Sequence, residues 1–340
     1  MRAVRLYAAR DLRVEEIARP ASPERGWVTL RVTAAGICGS DLHNYRTGHW
    51  ISRSPSTAGH EFAGVVTEVG QGVSDFVVGD TVVADSRFWC GECDACKAGR
   101  TNICRHLGFI GEVCDGGFAD FVTLPARLLC RHDHRLDPAI AAMAEPLAVA
   151  LHALRKQAVP NGEPVLVIGC GPIGGFVALL LSHLHDGAVL VADRNAGRAN
   201  LVAEVTGATA VTLDAASIRT ALNGRPVLYA CDATGDGGVL KTTLGLLSGG
   251  GSIALVGIAN APVGLDLNTL VEMETALIGC HAFVDELSEA VALLPGLAPQ
   301  LARLIDAQIA LEDVPAAYER LLGGGARGLK TIIRIGKAAE

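Results

Sequence analysis

Four cysteines, Cys90, Cys93, Cys96 and Cys104, follow C-x2-C-x2-C-x7-C in a stretch rich in Gly and Asp. Four thiolates so spaced close a tetrahedral shell around zinc and leave no place for a substrate, so the cluster predicts a structural metal site that does no chemistry. A four-cysteine iron–sulfur cluster and a nucleic-acid zinc ribbon use the same residue type. The acidic neighbours Glu92 and Asp94 disfavour the ribbon. A catalytic zinc instead needs three protein ligands and an open position for water or a substrate oxygen. The candidates are Cys38 in AAGICGSDLH, His60 and Glu61 in AGHEFAG, and Glu145 in AMAEPLAVALHAL. Taken singly, they also read as a buried thiol, a hydrogen-bonded core histidine and a helix-start carboxylate.

A second chemistry is written in GCGPIG, where Gly169, Gly171 and Gly174 form G-x-G-x-x-G between an apolar strand, VLVIG, and a helical run that Pro172 opens. Each glycine has a mechanical task there: the tight turn, close approach of backbone to a pyrophosphate, and close helix-to-strand packing. The helix start offers unpaired N–H groups and partial positive charge to phosphates. Asp193 ends the next strand, AVLVAD, where a carboxylate binds the hydroxyls of an adenosine ribose. Arg194 and Arg198 follow it and could meet a 2′-phosphate, but the Asp193 carboxylate repels one, so NAD is favoured over NADP.

These residues need elements to hold them. Up to about residue 150 the chain reads as β-rich, with WVTLRVTAAGI, FAGVVTEVG, DTVVADSRF and GGFADFVTL as short strands bounded by Gly, Asp and Pro. That predicts an antiparallel, barrel-like domain. From Val165 the pattern becomes strand, Gly-rich turn, long apolar helix and strand, with later strands expected at ATAVTL, VLYACDA, GSIALVGI and ALIGCHAF. A doubly wound parallel sheet accounts for them. The tail is helical in DELSEAVALL and VPAAYERLL and ends in a strand, LKTIIRIG, expected to return to the first domain.

Composition excludes other classes. With 340 residues and a net charge of -7 there is no broad basic field for nucleic acid. His183, His185 and Asp186 interrupt the richest apolar run, Val165 to Leu190, below membrane-spanning length. The start, MRAVRLYAARDLRVEE, lacks the apolar core of a signal peptide. A cytoplasmic location is therefore expected, and there ten cysteines serve as ligands and buried thiols rather than as a disulfide set.

With both metal sets and the glycine turn in hand, the chain resembles the zinc-containing medium-chain dehydrogenase/reductase family over essentially its whole length. The resemblance implies an α/β fold in three parts. Residues 1–150 form a GroES-like β-barrel catalytic domain with both zinc sites, 151–284 a Rossmann domain for NAD, and 285–340 a segment rejoining the first domain. It implies one catalytic zinc, on Cys38, His60 and Glu145, and one structural zinc on the four clustered cysteines. Glu61 is implied to sit behind the metal and exchange with its water or substrate ligand, and Asp41 to orient the zinc histidine. Ser40 and His43 resemble a relay that takes the alcohol proton toward the surface. Ile173, Val256, Gly257, Ile258, Cys280, His281 and Ala282 are implied neighbours of the nicotinamide, and Lys330 a candidate for the pyrophosphate. The family pairs through an edge strand, here ALIGCHAF, which implies a homotetramer or dimer.

Glutamate at 145 is similar to the polyol and threonine dehydrogenase branch. Sorbitol dehydrogenases carry Tyr after the relay histidine and an Arg-Tyr pair beyond the last cofactor strand, where this chain has Asn44 and Ala282-Phe283. Sorbitol itself is thus disfavoured. His49, Trp50, Phe88 and Phe109 are the aromatic candidates for a pocket wall. The expected reaction is reversible oxidation of a secondary alcohol, a polyol, sugar alcohol or sugar acid, by NAD. The alternatives are L-threonine 3-dehydrogenase chemistry and a zinc-stabilised, NAD-binding protein without turnover.

Overall fold

The computed structural model describes residues 1–259 and 261–336. The chain divides into two compact units. One comprises Met1–Glu145, Leu287–Ala326 and the tail from Lys330; the other comprises Pro146–Glu286 with Arg327–Leu329.

The first unit is built around strand Trp27–Gly36, which is hydrogen-bonded antiparallel to Glu61–Val69, Phe121–Pro125 and Lys330–Arg334. Thr81–Ala84 and Leu129–Arg131 extend the sheet on one side, and Ile305–Ala310 extends it on the other. Val28, Leu30, Val32, Phe62, Val122 and Ile333 fill one core beneath these strands. The tail strand Lys330–Arg334 is expected from LKTIIRIG; its parallel neighbour Ile305–Ala310 is not. Helix Leu287–Leu304 runs past the expected DELSEAVALL through Pro295 and Pro299, because Leu294, Leu297, Leu301 and Leu304 bury a continuous apolar stripe.

The run DTVVADSRF is not one strand. It forms Thr81–Ala84, breaks at Asp85 and Ser86, and resumes as Arg87–Phe88 paired with Gly108–Phe109. The break has a local cause. Arg87 turns its guanidinium back on Asp85 in a two-point contact, Nε to Oδ1 at 2.9 Å and Nη2 to Oδ2 at 2.7 Å, while Asp85 Oδ1 also accepts from Arg87 N. A buried ring closed between residues i and i+2 bends the backbone out of the ladder.

The second unit is a six-stranded parallel sheet in the order Thr209–Ala210, Val189–Ala192, Val165–Ile168, Tyr229–Asp232, Ser252–Leu255, Ala276–Gly279. This is the strand order of a doubly wound dinucleotide-binding sheet, with its switch point beside Val165–Ile168. ATAVTL contributes only Thr209–Ala210, both exposed at an edge. Helix Pro172–Leu184 begins at the switch point with Gly171 as N-cap. Among the described residues no helix is long and apolar enough to cross a membrane.

The glycine turn leaves a test of how closely helix and strand approach. A Cβ on Gly174 would lie 1.8 Å from the Gly169 carbonyl oxygen, a backbone atom that cannot move aside cheaply. Gly174→Ala is expected to destabilise the second unit by about 1–3 kcal/mol, the usual cost of overpacking. Urea denaturation followed by circular dichroism checks it, and an unshifted midpoint would refute this packing.

Candidate active site

Cys38 stands two residues past the central strand and caps helix Gly39–Thr47. Its N–H donates to Asp41 Oδ2 at 2.9 Å, and the other oxygen of Asp41 faces His60 Nδ1 at 3.5 Å. One carboxylate thus fixes the helix start and turns the His60 ring so that Nε2 is the nitrogen left to bind. The Cys38 sulfur, a His60 ring nitrogen and a Glu61 carboxylate oxygen lie within 4.8 Å of one another. A thiolate, an imidazole and a carboxylate at that spacing suit zinc. Burial pushes His60 down, but Asp41 and then Cys38 outweigh it, so the metal-free ring keeps a proton well above its ordinary range.

Glu61 is 1% exposed and its Oε2 pairs with Lys330 Nζ, which is 0% exposed. Lys330 is thus neither a solvated surface charge nor open to a ligand here. Burial pushes its ammonium down and Glu61 more than compensates, so it stays charged. The pair lies over Gly36, the cross-strand partner of Glu61, where a Cβ would stand 2.5 Å from Glu61 Oε2 and 2.8 Å from Lys330 Cε. Glycine at 36 is what gives the ion pair its room.

Glu145 opens helix Ala144–Gln157 and is buried, but its carboxylate does not belong to the converging group. In the geometry it is Glu61, not Glu145, that joins Cys38 and His60. Glu145 Oε1 instead accepts from Ser86 Oγ at 2.6 Å. Burial pushes the Glu145 carboxyl up to about 7, against the pull of His60.

Ser40 and His43 are three apart on helix Gly39–Thr47, hence on one face. His43 stacks on Trp50 with centroids 4.5 Å apart, and His49 meets its edge at 5.7 Å. Ser40, Asp41 and His60 also line a cavity of about 20 Å³ with Glu112 and Tyr318. Glu112 is a site residue that sequence reasoning missed; burial pushes its carboxyl up to about 7. Ser86 was missed as well, and its signal was the oppositely charged Asp85 and Arg87 flanking it inside an apolar run. Asn44 is buried and accepts from Trp50 N at 2.9 Å, so it braces the loop. Phe283 is core. Phe88 and Phe109 sit in the small two-stranded sheet, Phe88 under the Arg127 guanidinium.

The other four cysteines form a tight tetrad, with sulfur–sulfur separations of 3.5 Å for Cys90–Cys104, 3.9 Å for Cys93–Cys104 and 4.0 Å for Cys90–Cys96. A tetrahedron with zinc–sulfur bonds of about 2.3 Å has edges of about 3.8 Å. The N–H of Arg105 leads in pulling Cys93 down to about 6, while burial pushes Cys96 up to about 12. Crowded thiols share protons in this uneven way until a cation replaces them.

In the second unit Gly169 has φ +89° and Gly171 caps the helix, with Pro172, Ile173 and Gly174 in its first turn. Asp193 accepts from Cys170 N and Asn195 N, both at 2.7 Å, so its carboxylate is fixed beside the turn. Arg194 is exposed, and Arg198 Nε is buried without a hydrogen-bond partner. Val256 and Gly257 follow strand Ser252–Leu255, with both N–H groups on the Asp232 carbonyl, and Ile258 is 63% exposed. Cys280 N donates to Leu255 O at 2.9 Å; His281 follows, then Ala282 at φ +50°.

Two protein-family descriptions match the chain: an alcohol dehydrogenase GroES-like domain over residues 24–134 and a zinc-binding dehydrogenase over residues 172–295. The chain is 31% identical to 2-dehydro-3-deoxy-L-galactonate 5-dehydrogenase of Pseudoalteromonas atlantica, over 92% of each chain. It is 29% identical to sorbitol dehydrogenase of Bacillus subtilis, over 95% of this chain and 94% of the relative. A zinc-binding dehydrogenase from Sinorhizobium meliloti, solved bound to NADP, superposes with a TM-score of 0.91 at 29% identity, covering 98% of each chain.

The two clusters predict a metal count. Purified protein is expected to hold about two zinc ions per chain, one in a closed site and one in an open site. Cys38→Ser is expected to lose one of them with the fold intact, and Cys93→Ser to lose the other and melt earlier. Elemental analysis with thermal denaturation reads both, and a count near one in the unmodified chain refutes the open site.

Proposed function

We propose, on the premise that this chain belongs to the zinc-containing medium-chain dehydrogenase/reductase family, that it reversibly oxidises a secondary alcohol to a ketone with hydride transfer to NAD. The observation that carries this is the convergence of Cys38, His60 and Glu61 in a unit that also holds Ser40 and His43. A GroES-like barrel, Met1–Glu145 with the returning tail, is the catalytic domain, and the doubly wound sheet is the cofactor domain. Zinc supplies the Lewis acidity that lowers the alcohol pKa, and NAD supplies the hydride acceptor. Everything else falls to the chain's own side chains. Cys38 and His60 would hold the metal, Asp41 keeps the His60 ring turned, and Glu61 would complete the set.

Ser40 Oγ takes the substrate hydroxyl proton as it passes its own toward His43. A histidine ring that reaches solvent can pass the proton on to it. The half-buried position of His43 beside exposed His49 suits that exit. Asp193, fixed by two backbone N–H groups, offers its remaining lone pairs to the ribose hydroxyls and repels a 2′-phosphate. The relatives' substrates are a sugar-derived acid and a polyol. We assign this chain the same broad class, a secondary alcohol flanked by hydroxyls. Asn44, buried and committed to Trp50, replaces the tyrosine that would argue for sorbitol.

We also propose that the protein is a homo-oligomer in a reducing cytoplasm. Strand Ala276–Gly279 ends the parallel sheet, and beside it in sequence helix Leu267–Glu272 exposes Leu267 (67%) and Val271 (75%). An exposed sheet edge with neighbouring apolar side chains suits a second copy. The ten free thiols suit a reducing compartment.

The substrate class is tested by NADH absorbance across polyols, sugar acids and L-threonine, with NADP run in parallel. Turnover of a hydroxyl-flanked secondary alcohol, faster with NAD than NADP, is expected. In Ser40→Ala it should fall by about 10²-fold or more. Activity on L-threonine alone supports the amino-alcohol alternative, and silence throughout supports a protein without turnover. Light scattering tests assembly. A mass of two or four chains of 35.3 kDa is expected, and a monomer refutes the edge interface.

A further inference from the structure

Ser86 occupies the bend between two short strands, is 0% exposed, and donates its hydroxyl to Glu145 Oε1 at 2.6 Å. Its perch is rigid. The Ser86 carbonyl accepts from Ile110 N at 2.8 Å, and Asp85 N donates to Leu128 O at 2.6 Å. On either side of it Asp85 and Arg87 are locked together by the two-point ion pair, and Arg87 reaches on to Thr101 at 3.0 Å. Glu145 sits in the first turn of its helix, 6% exposed, so its carboxylate has little access to water. Meanwhile the ligand atoms of Cys38, His60 and Glu61 converge within 4.8 Å without it.

We infer that Ser86 is a positioning residue that holds Glu145 outside the inner shell of the metal, so that Glu145 acts on a water or substrate hydroxyl at the open position instead of filling it. The inference rests on the reading that Cys38, His60 and Glu61 bind a metal ion. A loose carboxylate beside a divalent cation moves to it. A short hydroxyl-to-carboxylate bond from a fixed donor opposes that movement, because charge-assisted bonds are roughly twice as strong as neutral ones. The opposition matters chemically. With a fourth protein ligand the shell closes, and a closed shell leaves no place for the alcohol. A hydroxyl at position 86 therefore keeps the site open and holds the Glu145 carboxylate outside it.

The test is the visible spectrum of protein with cobalt(II) exchanged into this site, taken as the difference from Cys38→Ser, which isolates the site from the four-cysteine cluster. Ser86→Thr and Glu145→Gln are expected to keep the parent ligand-field bands. Ser86→Ala is expected to shift them as the carboxylate enters, and to slow cobalt release to a chelator by about tenfold, the scale on which neighbours of metal ligands act. The double variant Ser86→Ala with Glu145→Gln should return to the parent spectrum. Parent-like bands and release in Ser86→Ala overturn the inference, as does a band shift in Glu145→Gln alone. If the difference spectrum has no ligand-field bands even for the unmodified protein, the metal reading itself falls, which is distinguishable from either.

Discussion

Buried negative charge is the constraint around which the first unit is organised. Glu61 is buried against Lys330, the ammonium that meets it, and Asp41 is nearly buried beside His60. An ion taken from water costs several kcal/mol even after relaxation, and removing one partner leaves the other stranded. The Lys330 contact therefore fixes more than a side chain. It ties the last strand to the middle of the sheet, because Ile332 must pair with Gly36 for Lys330 to reach Glu61, and Gly36 must lack a side chain for the two to meet. Beside that pair, Asp41 turns the His60 ring toward the position that a divalent cation held with Cys38 would take.

The bend at Asp85 and Arg87 serves two sites at once. One arm of Arg87 closes on Asp85 and presents Ser86 to Glu145, while another reaches Thr101 in the loop that carries the four cysteines. Arg127 donates to the Trp89 carbonyl next to Cys90 and stacks over the Trp89 ring at 4.5 Å, so that loop is also fastened from the far side. With a zinc ion on its four cysteines, that loop would hold firm the segment from which Ser86 projects. The four-cysteine loop and the segment that presents Ser86 are thus joined through a few residues of backbone.

What the sequence disclosed follows from how local each feature is. The four cysteines and the glycine turn announce themselves because their partners lie within a few residues, where spacing carries geometry. The strands around Val165 and Val189 were legible because parallel strands buried on both faces read as unbroken apolar runs. The run around Asp85 misled for a related reason: its apolar pattern fits a strand, and only the side-chain ring between Asp85 and Arg87 breaks it. Ser86 with Glu145, and Glu61 with Lys330, join distant parts of the chain, and no spacing rule brings them together. The family resemblance put Glu145 beside Cys38 and His60 with Glu61 behind, whereas it is Glu61 whose oxygen lies with them, since that depends on what else holds each carboxylate.

Diffraction from crystals of the zinc-loaded protein at the zinc absorption edge tests the central claim most directly. An anomalous peak is expected at bonding distance from the Cys38 sulfur and a His60 nitrogen, about 2.0–2.3 Å, with the Glu145 carboxylate still on Ser86 and beyond that distance. A peak at the four cysteines alone, or a zinc ion bonded directly to Glu145 with Ser86 released, would contradict it.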